Sequence, residues 1–360
     1  MGLMTFAFLI AGFILLVIGA EVLVRGAARL ATLFGISPLV IGLTVVAFGT
    51  SAPETAVGIQ AVRSGSGDIG VGNVLGSNIA NILLILGLSA LVAPLVVSRE
   101  LIRLHVPVMI AAGAVVYALA WNQLISRLEG ALLMAALIAY TLFLVISSRR
   151  NGAGQMDDFA YEPGEQRHRL AWLYDLMLIV VGLILLVAGS NLLVEGARTL
   201  ALSLGLSELV IGLTVVAVGT SLPELATSIL AVLRGQRDIA VGNVIGSCIF
   251  NLLLVLGSTS LVARGGLSVS PNALAFDFPV MMAVFFACLP IFVSGYRINR
   301  WEGLLFFAYY CAYTLYLVMF ATGLPAFELF RQAMGWFALP LTAITLSVIF
   351  FRSLKHPHQA

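Results

Sequence analysis

Residues 42–87 read GLTVVAFGTSAPETAVGIQAVRSGSGDIGVGNVLGSNIANILLILG, and residues 212–257 read GLTVVAVGTSLPELATSILAVLRGQRDIAVGNVIGSCIFNLLLVLG. The two stretches are 170 residues apart and are identical at 30 of their 46 positions. The identical positions include Thr, Ser, Pro, Glu, Asp and Asn, so a shared apolar bias does not explain the match. The chain therefore contains an internal repeat, and the two copies define its architecture.

The composition is that of an integral membrane protein. Hydrophobic residues make up 61% of the 360 residues and charged residues only 10%, whereas a soluble domain carries about 25% charged residues. A transmembrane helix needs roughly 20 mostly apolar residues. Ten segments of this kind, and a shorter eleventh that contains a proline, are predicted along the chain. They are residues 3–24, 38–62, 72–94, 102–121, 128–147, 173–194, 208–232, 242–263, 272–293, 302–321 and 334–351.

The distance between the two copies covers five predicted spans. Because five is an odd number, the second copy crosses the membrane in the opposite sense to the first, which is a common architecture of transporters. A structural duplication without transport is the alternative interpretation. The predicted fold class is an all-α polytopic membrane protein with two inverted five-helix repeats, discontinuous helices and an extra C-terminal helix. The expected domains are a first repeat at 1–147, a loop at 148–171, an inverted second repeat at 172–321, and the extra helix with a tail at 322–360.

The positive charges set the predicted orientation. Cytoplasmic loops carry an excess of Lys and Arg, and 14 of the 19 Lys and Arg residues fall in the odd-numbered loops and the C-terminal tail. The odd loops, including 148–171, are therefore expected in the cytoplasm and the N-terminus outside. No positive segment precedes the first span, so we interpret it as a retained helix and not as a cleaved signal. The expected location is the cell membrane, specifically the inner membrane of a bacterium.

Each copy of the repeat carries a Gly-Thr-Ser-x-Pro-Glu segment inside a predicted span. Pro53 and Pro223 lack an N–H group and clash with the carbonyl four residues earlier, so each helix is expected to break there. Irregular backbone at membrane depth persists only where it is buried in protein or lines a cavity. Glu54 and Glu224 follow the breaks, where the N-terminus of the next half-helix favours a carboxylate. The repeat thus predicts a broken helix and a buried acid in each half.

Two acids inside the bilayer require an explanation, because one charged side chain at its centre costs about 3 kcal/mol. Hard cations such as Ca²⁺ take about six to eight oxygen ligands from carboxylates, carbonyls and hydroxyls. Glu54 and Glu224, with the freed carbonyls and the neighbouring Thr and Ser hydroxyls, supply such a set. The alternative is that each Glu is protonated and hydrogen-bonded as a packing element. The matched pair, each beside a helix break, favours the cation site.

The span after each Glu adds further oxygen atoms. Three polar residues recur at intervals of four on that span in each half, which places them along one stripe of a helix. The first of the three is interpreted as an interhelical hydrogen-bonding residue, and the second and third as ion ligands. The triplets are Asn73, Ser77 and Asn81 in the first half and Asn243, Ser247 and Asn251 in the second.

With these motifs the chain resembles the sodium/calcium exchanger family of the cation/Ca²⁺ antiporter superfamily. The segments GTSAPE and GTSLPE, followed by GNVLGSNIAN and GNVIGSCIFN, carry the resemblance, which covers residues 1–321. The short central loop is similar to that of the prokaryotic branch. The resemblance implies a ten-helix core and an ion-coordinating set in which the alanines and threonines contribute backbone carbonyls, and the threonines and serines contribute hydroxyls. Carried over by position, that set is Ala47, Thr50, Ser51, Glu54, Ser77, Asn81, Ala217, Thr220, Ser221, Glu224, Ser247 and Asn251.

The function that the resemblance implies is secondary active cation antiport, with Na⁺ exchanged for Ca²⁺ by alternating access at a midplane site. Some prokaryotic members carry Asp at the position of Asn251, so the centre of this chain has only two carboxylates. Antiport of a divalent cation driven by H⁺ or K⁺ is an alternative that uses the same Glu pair. The Gly-Asn-Ala-x-Glu type of motif, typical of proton/calcium exchangers, is not what this chain has, which disfavours H⁺ coupling. A cation channel with the same fold is a further alternative.

Enzyme activity, a cofactor and a nucleic-acid partner are not expected. The four histidines form no catalytic or metal-binding group with nearby acids, and a net charge of +2 comes without a basic block. The expected partners are the lipid bilayer and the transported cations Na⁺ and Ca²⁺. His105 and Asp277 are interpreted as residues at span ends. The role of Glu21, whose repeat position holds Asn191, is left open.

Overall fold

The described part of the polypeptide is almost entirely helical. The computed structural model describes residues 3–151, 171–205, 208–211, 214–215 and 217–355. The α-helices are α1 (Leu3–Phe34), α2 (Pro38–Ile41), α3 (Ala47–Thr50), α4 (Ala52–Arg63), α5 (Gly67–Ala80), α6 (Gly87–Val92), α7 (Val106–Leu119), α8 (Arg127–Asn151), α9 (Ala171–Ser203), α10 (Glu208–Ile211), α11 (Ala217–Gly219), α12 (Leu222–Leu233), α13 (Arg237–Phe250), α14 (Leu256–Val262), α15 (Phe278–Val293), α16 (Arg300–Thr322), α17 (Phe327–Ala333) and α18 (Leu339–Lys355). Further helical turns are π-helical at Gly42–Val46, Asn81–Leu86, Leu101–His105, Asn251–Val255, Ala273–Asp277 and Met334–Ala338, and 3₁₀-helical at Ala120–Asn122.

Nine helices within the described residues are long and apolar enough to cross a membrane. They match the first ten predicted spans with one exception, 208–232, which is described as the separate pieces α10, α11 and α12. The eleventh predicted segment, 334–351, is helical and packs through α18 against α15. The nine helices are Met4–Phe34, Pro38–Arg63, Gly67–Val92, Leu101–Asn122, Arg127–Ser148, Trp172–Ser203, Arg237–Val262, Ala273–Val293 and Arg300–Thr322.

The first helix of each half is longer than predicted. Arg25 and Arg29, expected in the first loop, lie within α1. The helix ends only where Gly35 adopts φ +63°, the left-handed conformation with which many helices end, and Gly205 follows α9 with φ +83°. The predicted loop 148–171 lies largely outside the described residues, since α8 continues to Asn151 and α9 begins at Ala171.

The two halves interlock through the middle of the protein. α13 of the second half packs against α2, α3 and the π-helical turn between them in the first half. A Cβ atom at Gly42 would lie 2.7 Å from the carbonyl oxygen of Ile239, and one at Gly242 would lie 2.7 Å from that of Leu39. The backbones therefore touch directly, as small residues allow between membrane helices. This contact brings the polar motifs of the two halves together at the most buried part of the chain.

α1 and α9 form an antiparallel pair along most of their length. A Cβ atom at Gly12 would lie 2.8 Å from the carbonyl oxygen of Gly189, and one at Gly19 would lie 2.9 Å from that of Gly182. The pair meets the rest of the protein chiefly through α2, α10, α11 and α12. The glycines recur every seven residues on both helices, as Gly12, Gly19 and Gly26 in α1 and as Gly182, Gly189 and Gly196 in α9.

In the part of the chain that the structure describes, four short strands join the halves at two further places. β1 (Leu95–Val96) pairs antiparallel with β4 (Arg297–Ile298), and β2 (Leu124–Ile125) pairs antiparallel with β3 (Leu267–Ser268). Each pair combines one strand from the first half with one from the second. Because β1 and β2 lie on opposite sides of the span that contains α7, the two pairs lie at opposite ends of the helices.

Candidate cation-binding site

Both predicted helix breaks are present. In the first half Ser51 separates α3 from α4 with φ −81° and ψ 6°. In the second half Ser221 precedes α12 with φ −90° and ψ 6°. Pro53 and Pro223 lie in the first turns of α4 and α12, where the missing N–H group of a proline leaves no hydrogen bond unmade. Each of these spans therefore consists of two half-helices that meet at a serine.

One of the carbonyls that lose their helical hydrogen bond at the prolines accepts a hydrogen bond from a hydroxyl of α9 instead. The Oγ atom of Ser190 in α9 donates to the carbonyl oxygen of Gly219 at 2.6 Å. The repeat position of Ser190 is Ala20, which has no hydroxyl to offer the matching carbonyl of Gly49. The two helix breaks therefore have the same backbone shape and different hydrogen bonding.

The two glutamates face each other's motifs across the centre of the protein. Glu54 and Glu224 are fully buried, and none of their four carboxylate oxygens has a hydrogen-bond partner among the described residues. The Glu54 carboxylate lies close to Thr220 and Ser221, and the Glu224 carboxylate lies close to Thr50 and to Glu54 itself. Each acid thus meets the hydroxyl-bearing turn of the opposite half, which is the arrangement that inverted repeats produce.

Half of the other ten predicted ligands present unpaired polar atoms in the same buried region. The side chains of Ser51, Ser77, Asn81, Ser221 and Asn251 are each at most 1% exposed. Each has an oxygen atom without a hydrogen-bond partner in the described part of the chain, and leaving such an atom unpaired costs about 1–3 kcal/mol. A ligand that repays this cost must accept many oxygen contacts at once.

The threonines of the motif, by contrast, are engaged within the protein. The Oγ1 atom of Thr50 donates to Oδ1 of Asn243 at 3.2 Å and lies 3.4 Å from Oγ of Ser247. The Oγ1 atom of Thr220 donates to Oδ1 of Asn73 at 3.4 Å. Asn73 and Asn243 therefore act as the interhelical hydrogen-bonding residues that the sequence predicts. The resemblance assigns both the backbone carbonyls and the hydroxyls of these threonines to the ion. The hydroxyls take part in hydrogen bonds within the protein, and the ion-binding role of the threonines stays a prediction.

The two remaining predicted ligands are alanines. The carbonyl oxygen of Ala47 accepts the N–H of Ser51 at 3.0 Å and the hydroxyl of Thr50 at 3.5 Å. Ala217 is the first residue of α11, in the half-helix before the break. Both positions therefore lie on the half-helix that precedes Glu54 or Glu224, and their role as ion ligands stays a prediction.

Three features of the site had no clear signal in the sequence. Asn81 and Asn251 each begin a π-helical turn, a local insertion that is frequent at functional sites. Asn78 hydrogen-bonds to Asn251, although its repeat position holds Cys248. Ser228 accepts a hydrogen bond from Asn243 at 3.1 Å. Asn78 supports the predicted ligand Asn251, and Ser228 supports the interhelical residue Asn243. Neither Asn78 nor Ser228 belongs to the stripes that the sequence analysis identified.

The donor set suits a hard cation. In the described part of the chain no three His, Cys, Asp or Glu side chains cluster. The centre combines two carboxylates with neutral oxygens from Ser and Asn side chains. Such all-oxygen sets are what Ca²⁺ and other hard cations bind.

Comparison with known proteins gives the same assignment. The family model described as "Sodium/calcium exchanger protein" matches residues 4–146 and 174–319. The chain belongs to the sodium/calcium exchanger family. Each matched stretch contains one copy of the repeat with its Glu motif, so the family match covers both halves of this exchanger.

Several curated relatives span nearly the whole of their own length in the comparison. Inner membrane protein YrbG of Escherichia coli K12 is 40% identical over 78% of this chain and 86% of its own. The putative antiporter CaxA of Alkalimonas amylolytica is 39% identical, with 82% and 93% covered. The sodium/calcium exchanger MaX1 of Methanosarcina acetivorans is 34% identical, with 87% and 98% covered.

A solved structure shares the fold. A structure of the sodium-calcium exchanger NCX_Mj, soaked without Na⁺ and Ca²⁺, superposes with a TM-score of 0.73 at 32% identity. The match covers 86% of this exchanger and 98% of that chain. The predicted family and the predicted all-α polytopic fold are therefore confirmed.

Proposed function

We propose that this exchanger is a secondary active antiporter that exchanges Na⁺ for Ca²⁺ at the candidate site. The observation that carries the proposal is the meeting of Glu54 and Glu224, both fully buried, with four unpaired carboxylate oxygens between the two halves. Buried acids without a partner are costly, and a bound cation removes that cost. The name of the relative MaX1 describes a sodium/calcium exchanger, which favours the same ion pair for this chain.

Charge balance explains why the two ions would exclude each other. Two ionised glutamates carry two negative charges, which one Ca²⁺ or two Na⁺ ions neutralise. If both kinds of ion use overlapping oxygens, occupancy by one prevents occupancy by the other. With neither ion bound, two close carboxylates in a low dielectric repel each other strongly. The protein would therefore change conformation mainly when loaded, and that rule turns binding into exchange.

Alternating access would come from movement of the α1–α9 pair past the core. The two helices touch backbone to backbone at their glycines, so they can move as one body. The polar half-helix breaks lie in the core that the pair covers, and Ser190 of α9 reaches the carbonyl of Gly219 there. A shift of the pair would change that contact and open the site to one face or the other.

The proposal is tested by uptake of radioactive Ca²⁺ into proteoliposomes loaded with Na⁺. We expect uptake that requires the outward Na⁺ gradient and that saturates with Ca²⁺. Glu54→Gln and Glu224→Gln should each reduce it by at least about 100-fold, because each removes one of two charges that hold the ion. Glu328→Gln is the matched control, since Glu328 is exposed and forms an ion pair with Arg331. Undiminished uptake in both buried variants would refute the site assignment.

The same vesicles separate the alternative driving ions. Uptake driven by a pH gradient in Na⁺-free buffer would favour H⁺ coupling. A requirement for K⁺ together with Na⁺ would favour K⁺-coupled antiport. One short match among the comparisons supports testing for it. Sodium/potassium/calcium exchanger 3 of Homo sapiens is 43% identical over 54 residues, which is 15% of this chain. Flux that needs no counter-ion on the opposite side would point to a channel.

The orientation is part of the proposal. We place the N-terminus outside and the 148–171 loop in the cytoplasm of a cell membrane, following the excess of Lys and Arg in the odd loops. The relative YrbG is named an inner membrane protein, which supports a bacterial inner membrane. Labelling of Asp68→Cys and Glu100→Cys with a membrane-impermeant thiol reagent tests this. We expect Asp68→Cys to react from outside and Glu100→Cys only after the membrane is opened.

A further inference from the structure

Asn78 lies beside the candidate site, and it is not one of the residues that the family resemblance carries over. Its side chain is completely buried and reaches two residues of the second half. The Nδ2 atom donates to Sδ of Met281 at 3.5 Å, and the Oδ1 atom accepts from Nδ2 of Asn251 at 3.2 Å. Asn78 therefore links a buried methionine to one of the predicted ion ligands.

The chemistry of sulfur decides the direction of these hydrogen bonds. A thioether sulfur carries no proton and can only accept. Asn78 must present its NH₂ group to Met281, which turns its own carbonyl oxygen toward Asn251. Asn251 can meet that oxygen only with its NH₂ group. The Oδ1 atom of Asn251 is then left without a hydrogen-bond partner among the described residues, and it is free to bind a cation.

The first half holds its equivalent carboxamide differently. The repeat position of Asn78 is Cys248, whose Sγ atom donates to the backbone carbonyl of Asn78 at 3.9 Å and lies beside Asn81. Neither Oδ1 nor Nδ2 of Asn81 has a hydrogen-bond partner in the described part of the chain. Asn251 is thus fixed in one orientation by an amide, whereas its counterpart Asn81 lies beside a thiol.

We propose that Asn78 is a positioning residue, which holds Asn251 with its carboxamide oxygen toward the cation before the cation binds. This inference rests on the proposed cation site and distinguishes two ligands that the repeat makes formally equal. A carboxamide offers a cation either an oxygen or a repelling NH₂ group. Holding the oxygen in place in advance removes the cost of turning the group during binding.

A double-mutant cycle tests this through Ca²⁺ binding to the purified protein in detergent, measured by calorimetry. Asn78→Leu removes both hydrogen bonds and keeps the number and branching of the non-hydrogen atoms of the side chain. We expect the Kd for Ca²⁺ to rise by about tenfold, because Asn251 loses its fixed orientation. In an Asn251→Asp background the two carboxylate oxygens are equivalent, so Asn78→Leu should raise Kd by less than about twofold.

Met281→Leu is a second variant that leaves Asn78 in place and removes only the sulfur acceptor. It should raise the Kd in the same direction as Asn78→Leu by a smaller factor, and it should have little effect in the Asn251→Asp background. Equal effects of Asn78→Leu in the two backgrounds would overturn the proposal. If Asn78→Leu does not fold, an unchanged Kd in Met281→Leu would overturn it.

Glu54→Gln separates failure of this inference from failure of the site. If the natural sequence binds Ca²⁺ and Glu54→Gln does not, the proposed cation site stands, and the behaviour of Asn78→Leu decides the positioning role alone. If Ca²⁺ binds equally to the natural sequence and to Glu54→Gln, the site assignment fails, and the role proposed for Asn78 fails with it.

Discussion

Glu21 and Arg234 form an ion pair with two contacts between α1 and the end of α12. The Nε atom of Arg234 donates to Oε2 of Glu21 at 2.8 Å, and its Nη2 atom lies 2.7 Å from Oε1. α12 also carries Glu224. The repeat positions of the pair hold Asn191 and Ser64, which cannot form an ion pair. This ion pair therefore joins α1 to the helix that carries Glu224, and the repeat-related positions have no equivalent ion pair.

Arg234→Gln should let α1 move more readily relative to α12. Arg234 is about half exposed and Glu21 also pairs with Arg25, so the bond biases the present arrangement by about 1 kcal/mol or less. That bias corresponds to a change of up to about fivefold in the ratio of two conformations. Distance distributions between spin labels on α1 and α12 measure the change.

The same measurement has a matched control and a rescue. Arg331→Gln removes a surface ion pair with Glu328, away from α1, and should leave the distances unchanged. Exchanging the two charges in Glu21→Arg with Arg234→Glu should restore the original distribution. Identical distances in Arg234→Gln and the natural sequence would contradict a role for this pair in holding α1.

Gly19→Ala should destabilise the protein, because the new methyl group has no space. Its Cβ atom would lie 2.8 Å from the backbone nitrogen of Leu186 and 2.9 Å from the carbonyl oxygen of Gly182. Overpacking typically costs about 1–3 kcal/mol, so we expect a lower melting temperature. Gly72→Ala is the control, since its Cβ atom would meet nothing within 4 Å. Equal melting temperatures for the two variants would argue against the close packing of α1 and α9.

Ser190→Ala should destabilise the backbone at the second helix break. It leaves the carbonyl oxygen of Gly219 without the hydroxyl that now donates to it at 2.6 Å, and an unpaired buried acceptor costs about 1–3 kcal/mol. We expect a lower melting temperature and slower Ca²⁺ uptake. Ser190→Thr keeps a hydroxyl and should retain most of both. If Ser190→Thr and Ser190→Ala behave alike, the hydrogen bond to Gly219 is not what stabilises the break.

Glu100 gives a prediction for pH. It immediately precedes the span Leu101–Asn122, and His105 holds the pKa of its carboxyl below the ordinary value. A carboxyl whose pKa is lowered by folding adds stability above its unfolded pKa, and that stability is lost as the pH falls through the folded pKa. Glu100→Gln should therefore lower the melting temperature at neutral pH and have little effect well below about pH 4. A difference that does not vary with pH would exclude this coupling.

The parts of the site that follow from local chemistry could be predicted from the sequence. A proline inside a helix removes the same hydrogen bond wherever it occurs, so the breaks beside Pro53 and Pro223 and the buried positions of Glu54 and Glu224 followed directly. The inversion of the second half followed from the odd number of spans in the repeat. The extra length of α1 could not be predicted in this way. The helix continues past the predicted end of the span to Phe34, and it ends where Gly35 adopts a left-handed conformation.

Contacts between distant residues left no signal of their own. Asn78 could not be assigned a role, since its repeat position holds Cys248 and the symmetry of the chain therefore pointed away from it. Arg234, the second partner of Glu21, is 213 residues away from it, and no spacing rule joins positions so far apart. The four strands have two residues each, which is too short for an alternating pattern to be recognised.

The crossed pairing of β1 with β4 and of β2 with β3 has a consequence for biosynthesis. A ribosome delivers the N-terminal half to the membrane first, when neither β3 nor β4 exists. At that stage Glu54 also lacks Thr220 and Ser221, which face it in the finished protein. The first half therefore cannot complete either strand pair, or the surroundings of Glu54, until the second half has been synthesised.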